Sequence, residues 1–227
     1  MANNGAAGRV PKQRNPPVAA AAQARPVPAP REPLTEEQIA QALKDLGSGD
    51  AAAETAALER LATCLSGQDR QNVARAIVPH LDRANAAKRK LAFRALANWA
   101  TADDLPRLVE GLQEPDKAVR AAAMKALGEL RDARAIQPLV DRLLVAVDRG
   151  PAVAALKEIG ADCEQAVLPF LNHEEMWVRS AAVDILSEVG GAEALQAMEQ
   201  LRENDEEKFI REKVAGVLRK RAPDEDR

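Results

Sequence analysis

Tyrosine is absent from this 227-residue chain, which holds only three phenylalanines and two tryptophans. So few aromatics leave little of the stacking platform that single-stranded nucleic acids use. Glycines and β-branched runs are too sparse for a sheet, which excludes β architectures. No stretch reaches the ~18 continuous apolar residues of a membrane span. The N-terminal VAAAAQA is short, weakly apolar and set between prolines, so it is no signal-peptide core, and a cytoplasmic protein is expected. Cysteine is scarce too. Cys64 and Cys163 stand 99 positions apart and fit no metal spacing; a disulfide is formally open, and two small buried apolar residues are the better reading. There is no Gly-rich phosphate loop, since Gly190-Gly191 reads as a helix-ending turn, and no serine lies in a nucleophile-elbow context.

What the chain has instead is alanine. Hydrophobic residues make up 46% of it, and many are alanine, the strongest helix former and small enough to let helices approach closely. The expected fold is therefore all-α, with helix packed on helix. The formal net charge of −3 is unevenly divided. Residues 1–33 carry Arg9, Lys12, Arg14, Arg25 and Arg31 against Glu32, a net of +4, which leaves −7 for the remainder. An acidic body argues against nonspecific binding of nucleic acid. Residues 1–33 are also rich in Ala, Pro, Gly and Asn and offer little apolar surface to bury, so a disordered basic tail is expected, with RPVPAPREP favouring extended polyproline conformations.

Order is expected over 34–222, followed by a short charged tail at 223–227. Thr35-Glu36-Glu37-Gln38 forms a capping box ahead of Ile39, Leu43 and Leu46. Gly47-Ser48-Gly49 ends that helix and Asp50 caps the next. Two helix types then alternate through short connections. The first type covers 35–46, 68–82, 102–113, 133–146, 162–171 and 192–203. The second covers 50–66, 85–100, 116–130, 149–160, 175–189 and 206–221, which makes six pairs.

On the second type, arginine recurs at Arg89, Arg120, Arg149, Arg179 and Arg211, spaced by 31, 29, 30 and 32 residues. Three positions on come Ala92, Ala123, Ala152, Ala182 and Val214, and seven on come Leu96, Leu127, Leu156, Leu186 and Leu218. Ten on come Trp99, Leu130, Ile159, Val189 and finally Arg221. Offsets of 3, 7 and 10 define one apolar helix face, and Arg221 suits a terminal cap facing water. The first type carries Pro79, Pro106, Pro138 and Pro169. Pro106 falls in a first turn, whereas Pro79 and Pro169 should kink or end their helices. Glu114–Leu144 is the most regular unit, and Gly150-Pro151 should shorten the helix that follows it.

Val119-Arg120 with Ala123 and Leu127, Val178-Arg179 with Ala182 and Leu186, and more loosely Ile210-Arg211 with Val214 and Leu218 carry a family resemblance. They resemble HEAT-like repeats of the short bacterial kind, similar to the phycobilisome-lyase type, over residues 35 to 221. The resemblance implies a right-handed α-solenoid of about six stacked pairs. It also implies a structural arginine ladder of Arg89, Arg120, Arg149, Arg179 and Arg211, each bonded to an acid in the preceding turn. Six positions before the arginine, Glu114 and Asp205 suit that role and Arg83 and Leu143 do not, so an incomplete ladder is expected.

Candidate chemistry is thin. Deoxyhypusine hydroxylases resemble HEAT-like arrays that hold iron with several His-Glu pairs. The single His173-Glu174 cannot build such a site, and with His80 the only other histidine no metal is expected. HEAT-like DNA glycosylases use tryptophans on a basic face; here Trp99 takes the inward tenth position, Trp177 stands between exposure and packing on the next repeat, and the body is not basic. Bilin lyases and isomerases include HEAT-like members, yet no residue singles out a bilin site. No catalytic residue or cofactor is expected, and the chain reads as a non-enzyme.

The remaining candidate is the concave face that the second helix type lines in this family. Its outward positions, one, five and nine after each arginine, run from Lys90, Arg94 and Asn98 through Lys125 and Glu129 to Glu158, Ser180, Asp184 and Glu188. This charge-graded groove is expected to take a partner protein or peptide, making the chain a monomeric interaction scaffold with no membrane contact. The alternatives are a nucleic-acid-associated protein acting through its basic tail and a lyase-type accessory protein.

Overall fold

A computed structural model of the protein describes residues 33–64, 67–82 and 85–221. The tails expected at 1–33 and 223–227 lie outside the described residues, apart from Pro33. The described residues belong to one compact unit and contain twelve α-helices in two layers. The first layer comprises α1 (Glu36–Leu46), α3 (Arg70–Ile77), α5 (Leu105–Gly111), α7 (Ile136–Asp141), α9 (Glu164–Val167) and α11 (Ala192–Asn204). The second comprises α2 (Ala51–Thr63), α4 (Ala86–Trp99), α6 (Lys117–Leu130), α8 (Arg149–Ile159), α10 (Met176–Val189) and α12 (Lys208–Arg221). Each first-layer helix packs on the second-layer helix that follows it, and consecutive second-layer helices pack on one another from α2 to α12. This is an α-solenoid of six helix pairs.

The register read from the sequence explains the packing. Ala92, Ala123, Ala152, Ala182 and Val214 are fully buried, as are Leu96, Leu127, Leu156 and Leu186. Small residues at the contacts let the second-layer axes come close. At Gly128 the approach is tightest: an added Cβ would lie 2.8 Å from the Cα of Ala155, so the α6 and α8 backbones nearly touch. Trp99 is fully buried and its indole N–H donates to the Leu61 carbonyl at 3.0 Å, which satisfies its one polar atom.

First-layer helices are less continuous than periodicity alone predicts. Proline removes a backbone donor and crowds the preceding turn, so several are broken into short 3-10 and α segments. Pro79 lies in the 3-10 turn Val78–His80 that ends α3, and Pro169 in Leu168–Asn172 after α9. Pro106 sits in the first turn of α5, where the missing N–H is harmless. In the second layer, α8 has 11 residues against 14 for α4, α6, α10 and α12, with Gly150-Pro151 in its opening turn. Just before it, Leu144, Val145 and Val147 are exposed.

Capping matches the sequence at the entrance. Thr35 and Gln38 exchange the two hydrogen bonds of a capping box, and Asp50 accepts from the Ala52 N–H. The far end differs from expectation. Arg221 does not face water as a terminal cap would; its Nη1 donates at 2.6 Å to the carbonyl of Gly190, at the C-terminal end of α10. A cation there meets the negative end of the helix dipole, which is why an arginine is tolerated at a position the other repeats give to apolar side chains.

Candidate functional site

Among the described residues, Arg120, Arg149 and Arg179 each hold two consecutive turns, Arg89 is seen in its forward contact and Arg211 in its backward one. One part of the guanidinium reaches back to carbonyls five and six residues earlier. Arg120 Nη1 donates to the Glu114 and Pro115 carbonyls at 2.8 and 3.0 Å, and Arg179 Nη1 to those of His173 and Glu174, both at 2.9 Å. Arg149 Nε donates to the Leu143 carbonyl at 2.6 Å, and Arg211 Nη1 to that of Glu206 at 3.0 Å. The other part reaches forward to a carboxylate of the next repeat. Arg89 pairs with Glu114 at 2.9 Å and Arg149 with Glu175 at 2.8 Å. Arg120 and Arg179 grip Asp148 and Asp205 through two nitrogens each, at 2.7 to 3.0 Å.

This geometry corrects the expected ladder twice. The acid lies in the following turn, so Glu114 serves Arg89 and Asp205 serves Arg179. The series is also unbroken from Arg89 to Asp205, because Asp148 and Glu175 supply the rungs expected to be missing. What position six contributes is its backbone carbonyl, which any residue provides, and Leu143 therefore does the work expected of an acid. Asp148 is 1% exposed and the Arg179–Asp205 pair is nearly as deep. The hydrogen bonds that Arg120 donates to the Asp148 carboxylate hold its guanidinium above its ordinary pKa.

On the outward side of the second layer, most of the expected partner-binding residues are already paired. Lys90 meets Asp116 at 2.7 Å and keeps that carboxyl below its usual range. Lys125 pairs with Glu129, and Arg131 with Glu158 at 3.4 Å. Lys157 reaches Glu188 at 2.9 Å, and Lys213 reaches Asp184 at 2.7 Å. Lys157 and Lys213 stand eight and two positions after their arginines, beside the one-five-nine register, and they neutralise the acidic half of the gradient. The signal was in the sequence, at offsets that flank the stripe. Ser180, expected to point outward, is buried under Lys213, and Asn98 is turned inward to cap α2, donating to the Leu61 and Cys64 carbonyls at 3.2 Å.

What remains open is the front of the face. A cleft of about 190 Å³ spans three consecutive second-layer helices, with Ala62 of α2, Ala97 and Asn98 of α4 and Ala122 of α6 around it, and Arg94 and Lys125 at its sides. Its small side chains leave room for a backbone, and its cations lie on neighbouring helices.

Sequence reasoning missed one buried charge cluster. Glu54 of α2 is 6% exposed, accepts from Lys88 Nζ of α4, and lies 3.8 Å from His80 Nδ1. Glu54 precedes Leu58 and Leu61 by four and seven residues, so it belongs to an inward stripe, where a carboxylate needs partners. The cluster ties α2 to α4, where the repeats have no earlier arginine. His173 serves as a helix-start residue: its Nδ1 accepts from the Glu175 N–H at 3.0 Å and its ring stacks on Phe170. Cys64 and Cys163 are buried, and burial pushes the Cys163 thiol up to about 11. Trp177 is both exposed and in contact with the next repeat, 53% accessible with its ring centroid 5.7 Å from that of Phe209. Among the described residues no group of three or more His, Cys, Asp or Glu side chains could hold a metal ion, and no helix is long and apolar enough to cross a membrane.

Comparison with known proteins agrees with this architecture. Among curated proteins none matches the sequence significantly. An engineered protein of solved structure is similar with a TM-score of 0.54 at 19% identity, over 82% of this chain and 96% of that one. The archaeal HEAT-like repeats protein from Thermococcus onnurineus NA1 gives 0.51 at 15% identity, over 82% and 87%. A designed armadillo repeat protein in complex with the peptide (KR)4 gives 0.52 at 20% identity, over 82% and 99%. A family model described as HEAT repeats matches residues 74–157 and again 146–219, more than half of the chain. The protein belongs to the HEAT repeat family.

Proposed function

We propose that the protein is a non-catalytic scaffold that binds a partner protein or peptide on its second-layer face. The cleft between Arg94 and Lys125 is the observation that carries this reading. Alanines leave space for an extended backbone, and Arg94, with Lys125 drawn from its exposed pair with Glu129, suits acidic side chains through charge-assisted hydrogen bonds. The ligand class is accordingly a peptide segment carrying carboxylates. Lys90, Glu129, Glu158, Asp184 and Glu188 frame the same face, held by their partners. A repeat protein of similar fold that holds a peptide supports peptide recognition as a use for such a surface.

The test is capture of partners by the wild type and by a double charge reversal, Arg94→Glu with Lys125→Glu. Both residues are exposed, so the fold should survive. Losing two charge-assisted contacts should weaken a captured acidic segment by about a hundredfold. Equal affinity of the folded double variant and the wild type would remove the cleft from consideration.

A further inference from the structure

The position two before each recurring arginine follows a pattern that the proposed face does not use. It is Ala87 and Ala118 in the early repeats, then Val147, Trp177 and Phe209. All three large residues are exposed, at 64%, 53% and 46%. They sit where the chain turns into a second-layer helix, along one edge of the stack. Trp177 and Phe209 occupy equivalent positions in successive repeats, and their rings touch at a tilt of 55°. Each follows a pair of glutamates, in Glu174-Glu175-Met176-Trp177 and Glu206-Glu207-Lys208-Phe209. Glu175 is engaged by Arg149. Glu174, Glu206 and Glu207 are exposed, and their carboxylates make no ion pair among the described residues. Lys208, the cation within the second motif, is turned to Glu212 at 3.3 Å, and Arg211 is spent on the carbonyls of Asp205 and Glu206.

Two touching exposed rings beside three unpaired carboxylates select for a particular ligand. An apolar side chain alone would cover the rings and leave the carboxylates unanswered. A long cationic side chain answers both: its stem or guanidinium plane lies on the indole, and its charge meets the carboxylates. We propose that the Trp177–Phe209 edge is a docking site for an arginine- or lysine-rich linear segment of a partner protein. The site goes beyond the cleft at Arg94 and Lys125, which has the opposite charge and is built on the earlier repeats α2 to α6.

The experiment uses the full-length protein and a fluorescein-labelled octapeptide of alternating arginine and lysine, with an octapeptide of alternating glutamate and serine as comparison. Anisotropy gives affinity, and the indole N–H signals of Trp99 and Trp177 report location. The cationic peptide should bind, weaken with added salt, and shift the Trp177 signal while that of buried Trp99 stays. Trp177→Ala should weaken binding about thirtyfold, as loss of an interface tryptophan typically does. Joint replacement of Glu174, Glu206 and Glu207 by glutamine should weaken it about tenfold at low salt. Arg94→Glu with Lys125→Glu should leave it no weaker. The proposal is overturned if the cationic peptide fails to bind, if it binds without moving the Trp177 signal, or if Trp177→Ala leaves affinity unchanged in a folded protein. It is equally overturned if a second copy covers the edge, seen as a concentration-dependent dimer that Trp177→Ala abolishes.

Discussion

Asp205→Ala would strand the guanidinium of Arg179 inside the stack. Arg179 is 5% exposed, and its Nε and Nη2 donate to the Asp205 carboxylate at 2.7 and 3.0 Å. Nη1 would keep the carbonyls of His173 and Glu174, so the damage is confined to the forward half of the clamp. Stranding one member of a buried pair costs about 3–5 kcal/mol. The same carboxylate accepts from the Glu207 N–H at 2.8 Å, and losing that bond adds about 1 kcal/mol. The expected loss is therefore about 4 to 6 kcal/mol, or about 10 to 20 °C in Tm for a domain of this size. Glu175→Ala provides the contrast, since it removes the acid of the Arg149 pair where the carboxylate is 45% exposed; the cost there should be about 1 kcal/mol or less. A variant carrying both Arg179→Met and Asp205→Leu buries no charge and should be more stable than Asp205→Ala. Urea unfolding followed by circular dichroism gives the totals. Hydrogen exchange should show the loss concentrated in α10 and α12, because neighbouring repeats can open separately. Equal costs for Asp205→Ala and Glu175→Ala, or a double variant whose loss equals the sum of Arg179→Met and Asp205→Leu made singly, would refute the clamp as the link between repeats.

Further outcomes follow from the packing and from burial. Gly128→Ala places a Cβ 2.8 Å from the Ala155 backbone, so it should destabilise by about 1 to 3 kcal/mol in a urea melt, despite alanine's better helix propensity. Gly216→Ala, where an added Cβ meets nothing within 4 Å, should instead stabilise by about 0.5 to 1 kcal/mol. Glu54→Gln leaves the largely buried Lys88 side chain without its carboxylate and should cost about 3 kcal/mol, most of it recovered in the Glu54→Gln, Lys88→Met pair. The Cys163 thiol, held up to about 11 by burial, should resist iodoacetamide at pH 8 in the native protein and react on unfolding. Because a raised thiol pKa favours the neutral form, native and unfolded states agree below the ordinary 9.0. Stability should then fall as pH rises from there toward 11, where only the unfolded chain is ionised.

The second-layer helices were legible in the sequence because their signal is local. An arginine, then small and large apolar residues at offsets 3, 7 and 10, fixes a helix and its buried face together. First-layer helices were readable in position, and Pro79 and Pro169 marked two of their breaks; the 3-10 turns at Ala133–Ala135 and Arg142–Leu144 hold no proline and left no such mark. The arginine pairs exposed a different limit. Glu114 and Asp205 could be picked out as acids, but which arginine each serves depends on the rise from one repeat to the next, which no spacing along the chain encodes. Asp148 and Glu175 went unnoticed for the same reason: their positions relative to the next arginine differ, and only the stack brings them to equivalent places. On the outward face, Arg94 and Lys125 flank a cleft as a basic front half suggests. The acidic rear half is quenched by Lys157 and Lys213, side chains long enough to cross between helices from neighbouring stripes. Trp177 was ambiguous in sequence because exposure and packing on the next repeat seemed alternatives, and contact with an exposed Phe209 provides both.

The most direct test of the scaffold reading is site-specific photo-crosslinking in the cells that make the protein. A benzophenone amino acid is placed at Ala122, inside the cleft, or at Gln137 on first-layer helix α7. The account predicts a discrete adduct with one partner from position 122, lost when Arg94→Glu and Lys125→Glu are introduced, and none of it from position 137. The same adducts from both positions, or an adduct from position 122 indifferent to the charge reversal, would contradict it.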